Sequence, residues 1–491
     1  MSQHSDKKRI LVIGAGPAGL SAATRLLEEA GDRVTVTLMT MGHHVGGKAA
    51  SYEDDDGHTV EHGWHMILGF YRNMLSLMER AGIALEDTLV SMQGNAHPFE
   101  PGTGVLHTLN WRKSRAAFAL DWLGYDGLPV GDRLNFGRFM AQAFAEATSR
   151  TDLTQHDDIC FRTWAIEHGL RPHITRYSLF RNFREAYFNY PESLSAYHML
   201  QSMKLMSDPK RGEMFVVRGG FSERVWDPIA DYFRKLGGTL VPFSMATDWI
   251  YEGRKITGVR LARPDGAGHN DGESSWQQDR LPIKAGTERV YSDFDAVIST
   301  VPVAVLKQMN RNDERMWASP YFGRLSNLRS AATLSMVVHT KKPYMDYPGP
   351  VYGLSAPMGI AVNMTRYWDE YKNTNIGAAI HFMGQEGGFE DWSDDQIVKF
   401  TLENFSRVSA FGSIRDAEIT YLEFHRNRSA FERLVLGEPG VQKFRPGPRT
   451  PFLNLYVAGD WVQNDIDVVC MEGAITSGKA AAELALKDLQ R

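Results

Sequence analysis

The stretch RILVIGAGPAGLSAATRLLEEAGDRVTVTLM, Arg9 to Met39, decides the fold. It opens on an apolar run, RILVI, turns through GAGPAG, continues as LSAATRLLEEAG at helical period and closes on VTVTLM, a second strand. Gly14, Gly16 and Gly19 set a G-x-G-x-x-G spacing at the head of the helix, with Ala15 and Ala18 between them. Absent side chains there let a pyrophosphate reach the free N–H groups and the positive end of the helix dipole. A tight strand–helix turn without a ligand would use the same glycines. The complete strand–turn–helix–strand order favours a dinucleotide.

A carboxylate usually ends the second strand of such a unit and holds the ribose hydroxyls. Here Leu38-Met39-Thr40 stands in that place, so the ribose contact falls to Thr40, to His43 or His44, or is lost.

The same α/β texture returns in Gly219–Phe243, Tyr291–Pro302 and Leu453–Trp461, and these blocks read as one sheet domain built from separated segments. Between them lie a Met- and aromatic-rich helical stretch, 131–206, and a strand-rich stretch, 329–424, both assigned to a second domain inserted in the first. Pro264–Thr287, rich in Gly, Asp and Ser, reads as a solvated surface hairpin.

At 491 residues the chain exceeds what one core supports, so two interlocked domains are expected. A net charge of -5 argues against nucleic acid. Two cysteines, Cys160 and Cys470, give no disulfide framework and no metal spacing; no metal site is expected. The polar N-terminus lacks the pattern of a signal peptide, and no run approaches the roughly 18 apolar residues of a membrane span. The expected location is cytoplasmic, at most peripheral to a membrane.

Gly46-Gly47-Lys48 follows the first unit, a glycine pair before a cation, suited to a second close approach to phosphate or flavin. With it the chain resembles the flavin-dependent amine oxidase superfamily. The segment VEHGWHMILGFYRNMLSLMERAGI, Val60 to Ile83, with Glu61, Gly63, His65, Gly69, Tyr71 and Asn73, is similar to the plant and cyanobacterial type of phytoene and zeta-carotene desaturases. The C-terminal RPGPRTPFLNLYVAGDW and MEGAITSGKAAAELAL, and the middle GGFSERV, carry the same resemblance, which fades in the inserted region. It implies an α/β architecture, a Rossmann-like FAD-binding domain with an inserted α+β substrate domain, and non-covalent FAD. The expected division is 1–90, 215–303 and 426–491 for the cofactor, 91–214 and 304–425 for the substrate. Gly63, His65, Met66 and Tyr71 are then expected beside the cofactor, as are Gly459, Asp460, Met471 and Gly473. In the C-terminal element a strand ends at Asp460 and Gly473 opens a small-residue helix, whose N–H groups suit the negative edge of a reduced flavin. Asp460 would meet a ribityl or pyrophosphate-side hydroxyl.

Amine-oxidising members of the superfamily carry a lysine on the strand beneath the flavin and an aromatic residue before the MEG sequence. The corresponding strand here, Ser330–Thr340, has no lysine, and Cys470 precedes Met471. A small apolar residue suits a hydrocarbon passing the flavin; ordinary buried packing is the other reading. Met199, Met203, Met206 and Met214 follow Phe183, Tyr187, Phe188 and Tyr190, and read as an adaptable apolar tunnel or as plain core. Lys204 lies where desaturases place an arginine near the flavin, so it is a candidate for orienting the electron acceptor or stabilising an anionic flavin; a solvated helix lysine is the alternative. The chemistry implied is hydride transfer from an apolar, polyene- or terpenoid-like substrate, with desaturation or isomerisation, and with a quinone, oxygen or another protein as electron acceptor. An amine or amino-acid oxidase and a flavin-binding scaffold without turnover are the competing readings.

Overall fold

The computed structural model describes residues 7–490 apart from 55, 94, 111–119, 122, 179, 182–188, 209, 266–282 and 354–355. Strand Lys8–Ile13, helix Pro17–Ala30 and strand Val34–Met39 follow the order read from the sequence. The first strand is the centre of a five-stranded parallel sheet, ordered Thr239–Val241, Val34–Met39, Lys8–Ile13, Ala296–Ser299 and Leu455–Val457. Its alternation serves two layers: Ile10 and Val12 join the core that holds both flanking helices, while Leu11 and Ile13 join the core on the opposite face. A continuous apolar run is what a doubly covered parallel strand requires.

Helix Pro17–Ala30 packs along the last helix, Met471–Leu489. A Cβ at Gly478 would stand 2.1 Å from the Ala18 carbonyl, and Ser21 Oγ donates to the Ile475 carbonyl at 2.8 Å. The two ends of the chain thereby meet on one face of the sheet.

A second sheet of eight strands runs Ile419–Asn427, Thr333–Thr340, Ala378–Gln385, Met358–Asn363, Val351–Tyr352, Asn95–Glu100 and Val105–Leu106, with Leu109–Asn110 also on Asn95–Glu100. It is antiparallel except where Val351–Tyr352 meets Asn95–Glu100. The helical stretch resolves into Val130–Ala147, Phe161–Glu167 and Ala196–Leu205 around an aromatic core that includes Phe136, Phe161, Trp164 and Phe180.

The strand-rich stretch departs from expectation at Asp394–Ser406, a 13-residue helix. Ser393 accepts from Gln396 N and the Gln396 side chain accepts from Ser393 N, a reciprocal cap that starts a helix inside a β region. Residues 266–282 of the expected surface hairpin, and Phe183, Tyr187 and Phe188 of the expected tunnel, lie outside the described residues. On either side of 266–282, strands Lys255–Ala262 and Arg289–Tyr291 pair antiparallel.

Candidate flavin site and its apolar annex

The loops after the parallel strands open on a cavity of about 710 Å³ that extends to the helical layer and the second sheet. Two glycine turns form one wall. Gly14 has φ +100, a conformation only glycine adopts cheaply, and a Cβ on it would stand 2.6 Å from Thr300 Oγ1. Thr300 donates that hydroxyl to the Ile13 or Gly14 carbonyl, both at 2.9 Å, closing the turn from the neighbouring strand. Gly16, the N-cap of helix Pro17–Ala30, faces Gly47: a Cβ on Gly16 would lie 3.7 Å from Gly47 Cα. Gly46 N donates to the Ala15 carbonyl at 2.8 Å, so the second turn is tied to the first. These turns form a cradle that side chains would fill, at a helix N-terminus. That fits a dinucleotide.

Of the residues singled out by sequence, Gly14, Ala15, Gly16, Ala18, Thr40, Gly47 and Lys48 line this cavity, and so do Gly63, His65, Met66, Tyr71, Gly459, Asp460, Cys470 and Met471. Gly19, Gly46 and Gly473 are not among the lining residues and serve packing. A Cβ on Gly19 would fall 1.7 Å from the Gly14 carbonyl oxygen, one on Gly46 2.3 Å from the Trp226 ring, and one on Gly473 2.7 Å from the Val468 carbonyl. Lys204 needs correction: it is exposed and is not among the cavity-lining residues. Met199 and Met203 share the inner face of helix Ala196–Leu205, and Lys204, about 100° further round, faces out.

The C-terminal helix also begins earlier than expected, at Met471. Cys470 is its N-cap, with Sγ accepting from Gly473 N at 3.4 Å, so the Gly473 N–H is already engaged. Burial pushes the Cys470 thiol up to about 12, which keeps it neutral. It serves as a capping wall residue and not as a thiolate. On strand Thr333–Thr340 only Thr333 lines the cavity.

Lys48 Nζ and Asp460 Oδ2 are 3.4 Å apart, linking the second glycine turn to the C-terminal strand end. At the end of the second strand Thr40 Oγ1 donates to the His44 carbonyl at 3.0 Å, which leaves its oxygen lone pairs as acceptors. His43, His44 and Ser244 line the same rim, and Arg289 donates to Ser244 Oγ at 2.6 Å.

Two contributors, Glu472 and Arg445, were missed by sequence reasoning, and Glu61 was read only as part of a motif. Glu472 is wholly buried and its carboxylate accepts from Asn73 N at 2.9 Å, Asn73 Nδ2 at 2.9 Å and Met74 N at 3.0 Å, capping helix Arg72–Arg80 from another helix. Glu61 Oε1 accepts from Phe221 N at 3.1 Å, which joins the GGFSERV block to the segment carrying His65. Arg445, 4% exposed, donates to the Asp460 and Val462 carbonyls and pairs with Asp467 at 2.8 Å, fixing the loop behind Asp460. A charged residue inside a quoted motif was the available signal for all three.

Towards the helical layer the lining is apolar. Met199, Met203, Met206 and Met214 all face it, with Met140, Phe144, Ile360 and Met383.

A profile described as flavin containing amine oxidoreductase matches residues 17–486. The 15-cis-phytoene desaturase of Synechococcus elongatus is 23% identical over 98% of this chain and 97% of its own. The probable zeta-carotene desaturase of the same organism is 25% identical, over 98% of each chain. Among solved structures, an oxidoreductase from Methanosarcina mazei superposes with a TM-score of 0.69 at 15% identity, covering 97% of this chain and 100% of that one. Putrescine oxidase bound to putrescine gives 0.67 at 13% identity, covering 98% and 99%. At such identities the superpositions speak to the fold.

Proposed function

Since the chain belongs to the flavin containing amine oxidoreductase family and is an FAD-dependent oxidoreductase, we propose that it dehydrogenates or isomerises an apolar polyene- or terpenoid-like substrate beside a non-covalently held FAD. The observation that carries this reading is the composition of the cavity wall: methionines from two elements of the helical layer and from the second sheet continue directly from the glycine turns. Thioethers on unbranched side chains adapt to a long flexible hydrocarbon and offer no charge to an amine. The lysine-free strand Thr333–Thr340 and the small Cys470 support the same reading, as does the likeness to proteins described as carotene desaturases.

In this reading Gly14, Gly16 and Gly47 admit the pyrophosphate to the N-terminus of helix Pro17–Ala30. Lys48 and Asp460 sit as a pair where the flavin half begins, and Tyr71, Met471 and Cys470 bound the ring. A bound flavin supplies the hydride-accepting chemistry. The protein holds a C–H bond in place and keeps water out with its methionine wall. The non-covalent reading is supported by Cys470, a neutral thiol whose sulfur is engaged by the Gly473 N–H. The cofactor is held by segments 1–90, 215–303 and 426–491, the substrate by 91–214 and 304–425, and a quinone or oxygen takes the electrons away. Among the described residues no helix is long and apolar enough to cross a membrane, so a membrane-dissolved donor would be met peripherally.

The test is anaerobic reduction of the purified holoprotein. An apolar polyene or terpenoid in liposomes is expected to bleach the flavin band; polyamines, aromatic amines and amino acids are not. Rapid reduction by a simple amine would return the amine oxidase to first place.

A further inference from the structure

The cavity has a polar corner apart from its glycine turns, where Tyr52 and His62 line it. From Tyr52 a series of side chains leads outward. Its Oη is 3.4 Å from Glu423 Oε1 and 3.5 Å from Nε2 of the buried His425. Glu423 Oε1 and His425 Nε2 are themselves 2.9 Å apart. The other carboxylate oxygen, Glu423 Oε2, meets the Tyr421 hydroxyl at 2.5 Å, and that hydroxyl also meets Asp54 Oδ2 at 2.7 Å. Asp54 is partly exposed in the hairpin that joins strands Ser51–Glu53 and Thr59–Glu61, where the amides of Asp56 and His58 fix its Oδ1.

Counting hydrogens separates this series from a static brace. Tyr421 carries one hydroxyl hydrogen yet stands within hydrogen-bond distance of two carboxylate oxygens. Both contacts are attractive only when Asp54 or Glu423 carries a proton; otherwise one of them is a bare oxygen–oxygen approach. Burial pulls each carboxyl up, and hydrogen bonds, from Tyr421 to Asp54 and from His425 and Tyr421 to Glu423, outweigh it and hold each below its ordinary value. One hydrogen cannot serve both at once. The surrounding groups are His58 and His339, whose rings lie 4.3 and 4.8 Å from that of Tyr421, and His62, 6.5 Å from His425 and paired with Glu432 at 3.8 Å. Burial holds His62 and His339 below the ordinary imidazole value.

We infer that Tyr52, His425, Glu423, Tyr421 and Asp54 form a proton path joining the flavin-side cavity to solvent. The inference rests on a flavin occupying the cavity and on the proposed dehydrogenation, while its test needs no donor. In dehydrogenation one carbon gives up hydrogen with its electron pair to the flavin, the neighbouring carbon loses a proton, and that second C–H pair becomes the new C=C bond. An apolar wall offers that proton no acceptor. Tyr52 takes it while passing its own to His425 or Glu423, and Tyr421 relays the charge to Asp54 and water.

The test uses no substrate. Holoprotein is photoreduced anaerobically and mixed with ferricyanide in weak buffer containing phenol red. Two electrons go to two ferricyanide ions, and one proton per flavin appears in solution. In the unmodified protein dye and flavin signals are expected to coincide. In Glu423→Gln and in the conservative Tyr421→Phe, at full flavin content, the flavin should reoxidise while the dye lags by about a hundred-fold. Added imidazole should shorten the lag, which a purely structural defect would not allow. Coincident signals in both flavin-replete variants would overturn the path, while leaving the hydrocarbon reading, tested by the donor panel, untouched.

Discussion

Gly16→Val separates the ligand function of the first glycine turn from its structural function. Gly16 has φ -78, which any residue adopts, and its added Cβ would meet only Gly47 Cα at 3.7 Å and the Gly46 carbonyl at 4.0 Å, ordinary contact distances. The apoprotein should therefore lose no more than about 1 kcal/mol, through a poorer N-cap and minor crowding. In a chain of this size that is a melting shift of about 3 °C or less. The valine methyls nevertheless project into the gap between the two turns, where a pyrophosphate would approach. FAD affinity should fall at least about a hundred-fold, near 2.7 kcal/mol. Gly19→Ala is the contrast. Its Cβ would lie 1.7 Å from the Gly14 carbonyl oxygen, so helix and strand must part, and several kcal/mol of overpacking are expected. Circular-dichroism melts of both apoproteins, with flavin fluorescence titrations, read the two effects apart; apoprotein is essential because bound FAD stabilises by linkage. A Gly16→Val protein that melts normally and retains FAD at wild-type affinity would refute the assignment of this turn.

Thr40→Glu is expected to lower the FAD dissociation constant several-fold, if the strand end faces the ribose; an unchanged constant in the fluorescence titration would assign the contact to His43, His44 or Ser244. Lys48→Met removes the partner of Asp460 from a pair whose side chains are 26% and 15% exposed, and should weaken FAD about five-fold, near 1 kcal/mol, with a flatter salt dependence. Burial raises Glu472 above the ordinary carboxyl range, so the native state prefers its proton: this contribution is full at low pH and declines as pH rises through the folded value. Urea unfolding across mildly acidic pH should show that decline in the parent and its loss in Glu472→Gln, and parallel curves would contradict it. With its thiol pushed up to about 12, Cys470 has a thiolate fraction near pH 8 of about one in ten thousand. Native protein treated with Ellman's reagent at that pH should leave Cys470 unlabelled in a peptide map.

The parallel sheet was legible because each strand carries its own evidence. Ile10–Ile13 and Ala296–Ile298 are uninterrupted apolar runs, as strands covered on both faces must be. The glycine turns were legible for a related reason: backbone approach excludes side chains, and the sequence records the exclusion. Asp394–Ser406 escaped notice although Ser393 and Gln396 stand at capping-box spacing, because the surrounding strands set the reading for the whole stretch.

Direction along a helix was the harder quantity. Lys204 and Met203 are adjacent in sequence, and motif resemblance could place either beside the flavin; only the rotation of Ala196–Leu205, fixed by the aromatic core behind it, sends one to the cavity and the other to water. Cys470 carries the same lesson from the other side. Read as a side chain beside a motif it suggested a slot for substrate, while its extended backbone and the Gly473 N–H on its sulfur make it the residue that starts the helix. A larger residue there would alter cap and wall together, so substrate access is better probed at Met203, which lines the cavity without terminating any element. The polar series from Tyr52 to Asp54 was only half legible, since its members come from a hairpin near the N-terminus and a strand more than 350 residues later. Alternation along Ile419–Asn427 puts Tyr421, Glu423 and His425 on one face, a pattern visible in the sequence. What faces them depends on how the Ser51–Glu61 hairpin lies across the second sheet, which no local rule specifies.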